Sequence, residues 1–283
     1  MKKTILTAVL LSAAYITFAQ TESKENTEDT VKAGNFFIVK KKGKTGNKES
    51  KGFKISIHNS EDKNKNISTN WFVLDLGFAN YRDETNYTNA QAGSYLRTLY
   101  TPAGAVTSQS LRLKTGKSSN VNLWFFMQRL NISQHVFNLK YGLGLEMYNF
   151  RFDRNVSYRK DPNPFIFNDS INFSKNKLYA GYITLPLMVN INTKPNSKKS
   201  FSFSAGVSAG YLISTRNKQV SDTRGKIKYK GDFDLQPFRL AAVGEVGVGP
   251  VRLYASYSLN ALHNKATLLN QYPYAIGLRL SSW

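Results

Sequence analysis

Apolar and polar residues alternate with a period of two in eight separate stretches of the chain. In the first stretch, Leu74, Leu76 and Phe78 would share one face of a strand while Asp75 and Ala79 share the other. Side chains of a β-strand point alternately to its two faces, so each stretch predicts a strand with one apolar and one mostly polar face. The eight stretches span residues 72–79, 120–128, 137–147, 182–192, 201–211, 238–248, 251–260 and 274–281.

The connections between these stretches alternate strictly between long and short. The short connections are residues 131–135, 193–199 and 249–250, and the long ones are residues 81–118, 150–177, 214–234 and 262–271. Outer-membrane barrels of bacteria have an even number of antiparallel strands, short periplasmic turns and long external loops. A water-soluble sandwich also alternates, but it buries its apolar faces and its loops show no such asymmetry.

The pattern therefore predicts an all-β fold, an eight-stranded antiparallel transmembrane up-and-down β-barrel with a short N-terminal periplasmic segment. The polar faces, which carry Gly, Ser, Asn and charged residues, would line the lumen, and the apolar faces would contact lipid. In the second stretch, this reading places Leu123, Phe125 and Met127 toward the lipid. We expect the protein to reside in the outer membrane.

The first residues have the parts of a secretory signal peptide. A basic start at Lys2 and Lys3 is followed by an apolar run over residues 5–11, and Ala19 is a small residue suited to cleavage. We predict a signal peptide at residues 1–19, a periplasmic leader and basic segment at residues 20–69, and the outer-membrane β-barrel at residues 70–283. The chain has no cysteine, which excludes disulfides, thiol catalysis and cysteine-based metal sites.

The chain is strongly basic, with a formal net charge of +21. Such a charge is typical of nucleic-acid binding, but export to the outer membrane argues against nucleic acid as a partner. The anions present at that membrane are lipopolysaccharide phosphates and acidic sugars, which attract surface cations over a long range. We therefore expect outer-membrane lipid as a partner, including lipopolysaccharide phosphates, together with a protein partner in the periplasm or at the surface.

One external connection carries cations at every second position. These are Arg224, Lys226, Lys228 and Lys230. On a strand that extends above the membrane they would form one row, because alternate residues share a face. Such a row suits phosphate binding through charge-assisted hydrogen bonds. The alternative is a solubilising edge that discourages pairing with another chain.

A second external connection contains an apolar tripeptide. Pro162 and Pro164 precede Phe165, Ile166 and Phe167. Apolar residues on a loop form a contact surface or pack inward. We expect inward packing, as part of a plug.

The predicted lumen faces carry seven charged residues. These are Asp75, Lys140, Glu146, Arg239, Glu245, Arg252 and Arg279. Ionisable residues inside a membrane indicate function by default. The interior of an eight-stranded barrel is, however, just wide enough to be filled by side chains. We therefore predict a mutually neutralising network that fills the lumen, with a narrow pore as the alternative.

The first and eighth strands must pair to close the barrel. Asp75 lies four residues from Trp71, near the periplasmic start of the first strand, and Arg279 lies four residues before the last residue of the sequence. Both are on lumen faces at a similar depth. We therefore expect an ion pair between Asp75 and Arg279 at the closing pair of strands.

One histidine is a candidate for catalysis. Of the three histidines, His58 precedes the barrel and His135 lies in a short turn, whereas His263 follows Ser256 and Ser258 in an external connection. A serine and histidine pair needs an orienting acid, and residues 262–271 contain no Asp or Glu. We predict no catalytic, cofactor or metal site. The alternative, a lipid-modifying barrel enzyme, requires an acid within reach of His263.

Four motifs resemble those of a known family. They are Leu-Lys-Thr-Gly-Lys at 113–117, Met-Gln-Arg-Leu-Asn at 127–131, Leu-Lys-Tyr-Gly-Leu-Gly-Leu-Glu at 139–146 and Leu-Pro-Leu at 185–187. They are similar to the PorT-like outer-membrane β-barrel family of Bacteroidota, over about residues 71–283. That family shares no catalytic residues, and some members are implicated in protein secretion and gliding machinery. The resemblance implies an integral outer-membrane barrel with a structural or interaction role, in secretion machinery or in contact with lipopolysaccharide.

Overall fold

A computed structural model describes residues 29–33, 36–42, 51–57, 66–195 and 200–280. The chain divides into two units, residues 1–60 and residues 61–283. The first unit contains an antiparallel sheet of three strands, β1 (Asp29–Ala33), β2 (Phe36–Lys42) and β3 (Lys51–Ile57), in that order. The predicted signal peptide at residues 1–19, residues 20–28 of the predicted leader and His58 lie outside the described residues.

The second unit is built from antiparallel strands. They are β4 (Ile67–Asp83), β5 (Ser119–Ser133), β6 (Phe137–Arg151), β7 (Val156–Arg159), β8 (Phe165–Asn168), β9 (Lys175–Asn192), β10 (Phe201–Ser221), β11 (Gly225–Lys230), β12 (Phe238–Val248), β13 (Val251–Ser258) and β14 (Gln271–Leu280). Eight of them form a ring in the order β4, β5, β6, β9, β10, β12, β13, β14, and β14 pairs with β4. The number and the order of the predicted strands are confirmed.

Short and long connections lie at opposite ends of the ring. At the turn end, residues 134–136, 193–200 and 249–250 join neighbouring strands. Gln134, His135 and Gly249 have positive φ angles, as the tight turns that match the twist of two antiparallel strands require. The loop end carries residues 84–118, 152–174, 222–237 and 259–270. The predicted asymmetry is therefore confirmed.

Short elements are built into the long connections. Residues 84–118 contain helix α1 (Tyr87–Ala92). Asn86 is its N-cap, and the Asn86 side chain accepts a hydrogen bond from the Asn89 N–H. Strands β7 and β8 form a hairpin, and β11 pairs with the end of β10. Within the described residues, no helix is long and apolar enough to cross a membrane.

The ring has an exposed apolar outer face and a buried inner face. On β4, the side chain of Leu76 is 56% exposed, whereas Asp75 beside it is fully buried. The same alternation continues on β9, where Leu185 and Leu187 are exposed and Thr184 is buried. The predicted assignment of faces is confirmed in most positions, because the period of two is a property of the extended backbone.

The prediction for Met127 is wrong. The pairing of β5 with β6 shifts register between Trp124 and Phe126, so an extra residue is inserted at Phe125. This β-bulge changes the phase of the strand by one position. Met127 therefore turns inward, where it is 1% exposed and packs with Val73 and Trp124. A strict period of two cannot reveal such an insertion.

The loop end is packed by an apolar cluster, which we call the loop cap. Inward-facing residues of the strands, including Tyr148 and Phe150, meet Tyr158 and Phe233 from the connections, and all four are buried. Ile166 is fully buried, and its N–H donates to the Tyr95 carbonyl. The expected inward packing of residues 165–167 is confirmed.

Candidate functional site

The seven predicted lumen charges all lie inside the ring and are all buried, with exposed fractions between 0% and 5%. They form two clusters. The first joins Asp75, Lys140, Glu245, Arg252 and Arg279, and the second joins Glu146 and Arg239. Three carboxylates face four cations, so the charges nearly cancel. Buried charges are tolerated when they are paired in this way.

Glu245 on β12 is the centre of the first cluster. Its Oε1 atom accepts a hydrogen bond from Lys140 Nζ at 2.6 Å and lies 2.8 Å from Arg252 Nε. Its Oε2 atom accepts from Arg279 Nη1 at 2.6 Å. Lys140 is on β6, which is not a neighbour of β12 in the ring. The pair of Lys140 and Glu245 therefore crosses the interior.

Asp75 and Arg279 meet where the ring closes. The two residues are directly paired in the register of β4 and β14. Arg279 donates from Nε to Asp75 Oδ1 and from Nη2 to Oδ2, both at 2.7 Å. This two-pronged geometry is the strongest that arginine and a carboxylate adopt. Trp124 Nε1 and Asn122 Nδ2 also donate to Asp75 Oδ2, at 2.7 and 3.1 Å.

The second cluster crosses the interior nearer to the loop end. Arg239 Nη1 on β12 donates to Glu146 Oε2 on β6 at 2.6 Å. The other guanidinium nitrogens donate to Ser258 Oγ at 2.8 Å and Ser256 Oγ at 3.2 Å. The guanidinium also lies over the Tyr148 ring, 4.9 Å from its centroid. The β6 and β12 walls are therefore joined at two levels.

Uncharged side chains fill the space between the clusters, and the sequence pattern did not single them out. The Tyr254 hydroxyl donates to Asn120 Oδ1 at 2.7 Å. Gly277 leaves room for this ring, because a Cβ atom there would lie 2.7 Å from Tyr254 Cε1 and 2.5 Å from Gly77 Cα. A cavity of about 20 Å³ lined in part by Glu146 and Glu245 is large enough for about one water molecule.

His263 is buried in the loop cap. Its ring lies between Tyr158, stacked at a centroid distance of 6.0 Å, and Tyr95 at 5.9 Å. Nε2 is 3.5 Å from the Tyr158 hydroxyl, and Nδ1 has no hydrogen-bond partner among the described residues. Burial lowers the pKa of His263 to about 3, so the imidazole is neutral at physiological pH. Ser256 and Ser258 bond to Arg239 instead.

The predicted cationic row is shorter than the sequence pattern indicated. Lys226, Lys228 and Lys230 are exposed on β11. Arg224 departs from the row because it precedes the strand, in the turn, and its Nη1 lies 2.9 Å from Asp169 Oδ2. The Asp169 side chain is buried and attracts the guanidinium, so Arg224 anchors the turn.

The geometry agrees with a comparison to protein families. Residues 89–264, more than half of the chain, match the model described as outer membrane protein beta-barrel domain. The matched range includes β5, β6, β9, β10, β12 and β13 of the ring. No curated protein matches the chain significantly. The chain therefore belongs to the outer membrane protein beta-barrel domain family and is an integral protein of the outer membrane.

Proposed function

We propose that this protein is a sealed outer-membrane barrel with a structural or interaction role, and that it is neither a pore nor an enzyme. The observation that carries the proposal is the crossing of the lumen at two levels by ion pairs between β6 and β12. A barrel of eight strands has no space for both such a network and a channel.

The energetics of the network support a permanent seal. Removing one partner of a buried ion pair leaves an uncompensated charge and typically costs about 3–5 kcal/mol. Glu245 contacts three cations, so opening a path past it separates several pairs at once. The packed loop cap adds an apolar barrier at the external end.

The surroundings of His263 support the absence of catalysis. A general base must have a suitable pKa and must reach the substrate. The imidazole of His263 is buried between tyrosine rings and has a pKa of about 3. It therefore acts as an aromatic packing element of the loop cap, and the proposal includes no cofactor.

The partners in this proposal are lipid and protein. The exposed apolar face of the ring is suited to lipid, and the cations of β11 are suited to lipopolysaccharide phosphates. Contact with secretion machinery follows from the resemblance to the PorT-like family alone, and that finer membership stays a prediction. A protein partner in the periplasm or at the surface belongs to the same prediction.

Conductance measurements test the seal. The purified protein, folded from detergent into a planar lipid bilayer in concentrated KCl, should give no discrete current steps at either polarity. Insertion is checked in vesicles of the same lipid by the resistance of the barrel to protease. A general porin serves as the positive control. Reproducible steps of one size from the inserted protein would favour the narrow pore.

A further inference from the structure

Four cations lie side by side across four strands at the loop end. The register pairs Arg151 of β6 with Lys177 of β9, Lys177 with Lys218 of β10, and Lys218 with Lys228 of β11. We call these four residues the cross-strand row. Neighbouring strands lie about 4.8 Å apart, so the row is roughly 14 Å long.

A second pair of cations extends this surface. Two residues further along the strands, on the same face, Arg216 of β10 is paired with Lys230 of β11. Within the part of the chain that the structure describes, none of these six cations forms a salt bridge with a carboxylate. We call the six residues the outer cationic face.

The cations face the outside of the ring. On β10, the inward positions Asn217 and Gln219 are buried, which leaves Arg216 and Lys218 on the outer wall. Lys177 donates to Asn149 Oδ1 at 2.6 Å, and Arg216 lies over the Tyr179 ring at 4.4 Å from its centroid. Both contacts hold the cations against the wall without neutralising them.

Desolvation and the neighbouring cations both lower the pKa of two lysines of the row. Burial, together with the charges of Lys175, Arg216, Lys218 and Arg151, lowers the pKa of Lys177 to about 8.

The pKa of Lys218 is also lowered, by desolvation and by Lys226, Lys175, Lys228 and Arg216. Like charges placed directly opposite each other destabilise a sheet. An anion placed over the row would relieve this repulsion.

The height of the outer cationic face indicates which anion it meets. The exposed apolar residues of the outer wall continue on β10 to Tyr211 and Ile213. Arg216 follows three residues later, about 10 Å along the strand. The face therefore begins at the level of lipid headgroups, directly above the apolar wall. Its side chains point outward from the ring, parallel to the membrane plane. Tyr179 at the same level is typical of the membrane interface.

We propose that the outer cationic face binds the phosphate groups of a polyphosphorylated glycolipid of the lipopolysaccharide class, in the leaflet around the barrel. Several cations reach one phosphate because they lie one strand apart, and the apolar wall below accepts the acyl chains. This binding is one form of the interaction role proposed above and rests on that role, with the residues and the class of lipid specified. A soluble polyanion would not need a site that is continuous with the apolar wall.

Binding to a bisphosphorylated glycolipid tests the proposal. The protein in nanodiscs is titrated with lipid A, with its dephosphorylated form, and with inorganic pyrophosphate. The variant Lys177→Gln/Lys218→Gln/Lys228→Gln should bind lipid A about tenfold more weakly and with a flatter salt dependence, because three charge-assisted contacts are lost. The control Arg82→Gln/Lys117→Gln/Lys265→Gln removes the same charge from the loop end outside the face and should retain wild-type affinity.

The pH dependence gives an independent readout. Arg151, Lys175, Arg216 and Lys218 surround Lys177, so its proton is lost at a lower pH than usual. The affinity of the wild type for lipid A should fall as the pH rises above about 8, since the neutral amine of Lys177 attracts phosphate less than the charged form. Lys177→Arg should remove most of this fall, because arginine stays charged.

Three outcomes would overturn the proposal. Equal losses in the row variant and the control would show that only net charge matters, and unchanged affinity in the row variant would show that the face is not the site. Pyrophosphate binding as tight as that of lipid A would assign the face to soluble anions. Each outcome is independent of the proposed function, because the row lies outside the lumen and the conductance of these variants should match that of the wild type.

Discussion

Replacing Glu245 with glutamine should lower the free energy of unfolding of the barrel by about 3–5 kcal/mol. The substitution keeps the shape of the side chain but removes the negative charge that holds three cations. Lys140, Arg252 and Arg279 would then face one another in a buried space, with only Asp75 left to compensate Arg279. Urea unfolding in lipid vesicles, followed by tryptophan fluorescence, measures the loss.

Asp153→Asn is the matched control for this experiment. Asp153 also pairs with two cations, Arg112 and Lys114, but in a partly exposed position at the loop end. Ion pairs that are open to solvent contribute about 0–1 kcal/mol. An equally small loss for Glu245→Gln would show that the network does not stabilise the folded barrel.

Asp75→Asn and Arg279→Gln should each lower the free energy of unfolding by about 3–5 kcal/mol, and the double variant should lose less than the sum of the two. Each single change leaves one buried charge without its partner, at the pair of strands that closes the ring. In the double variant neither of these two charges remains. The recovery should be partial, because Arg279 also neutralises Glu245, and Asp75 also accepts from Trp124.

The double-mutant cycle isolates the coupling between the two residues. It requires the four proteins to unfold under the same conditions, with the same dependence on urea. Losses that simply add would mean that the contact of Asp75 with Arg279 contributes nothing beyond the separate contacts of each residue.

Much of the ring could be predicted from the sequence. The period of two is a geometric property of strands, and the barrel wall separates an apolar from a polar environment, so residues such as Leu76 and Asp75 reveal their faces directly. The alternation of short and long connections predicted which connections lie at each end of the ring. The contact of Asp75 with Arg279 could also be predicted, because the two residues lie at a similar depth on the two strands that close the ring.

Other features depend on register, which the alternation does not contain. The bulge at Phe125 turned Met127 inward, and no residue in that stretch signals the insertion. The cross-strand row joins Lys177 and Lys218 from strands whose pairing shifts at a further irregularity between Leu212 and Ser214. Arg224 does not lie in the expected row, because it pairs with the buried carboxylate of Asp169, which is distant in the sequence.

Accessibility of single cysteines on intact cells tests the central claim most directly, and it is practical because the chain has no cysteine of its own. We expect a membrane-impermeant maleimide to label Thr223→Cys at the loop end of intact cells, and Lys194→Cys at the turn end only after the outer membrane is broken. Leu76→Cys, on the exposed apolar wall, should stay unlabelled in both states and react once the protein is unfolded, because lipid covers it. Labelling of Lys194→Cys on intact cells, or rapid labelling of Leu76→Cys in the folded protein, would contradict a barrel that crosses the outer membrane with its loop end outside.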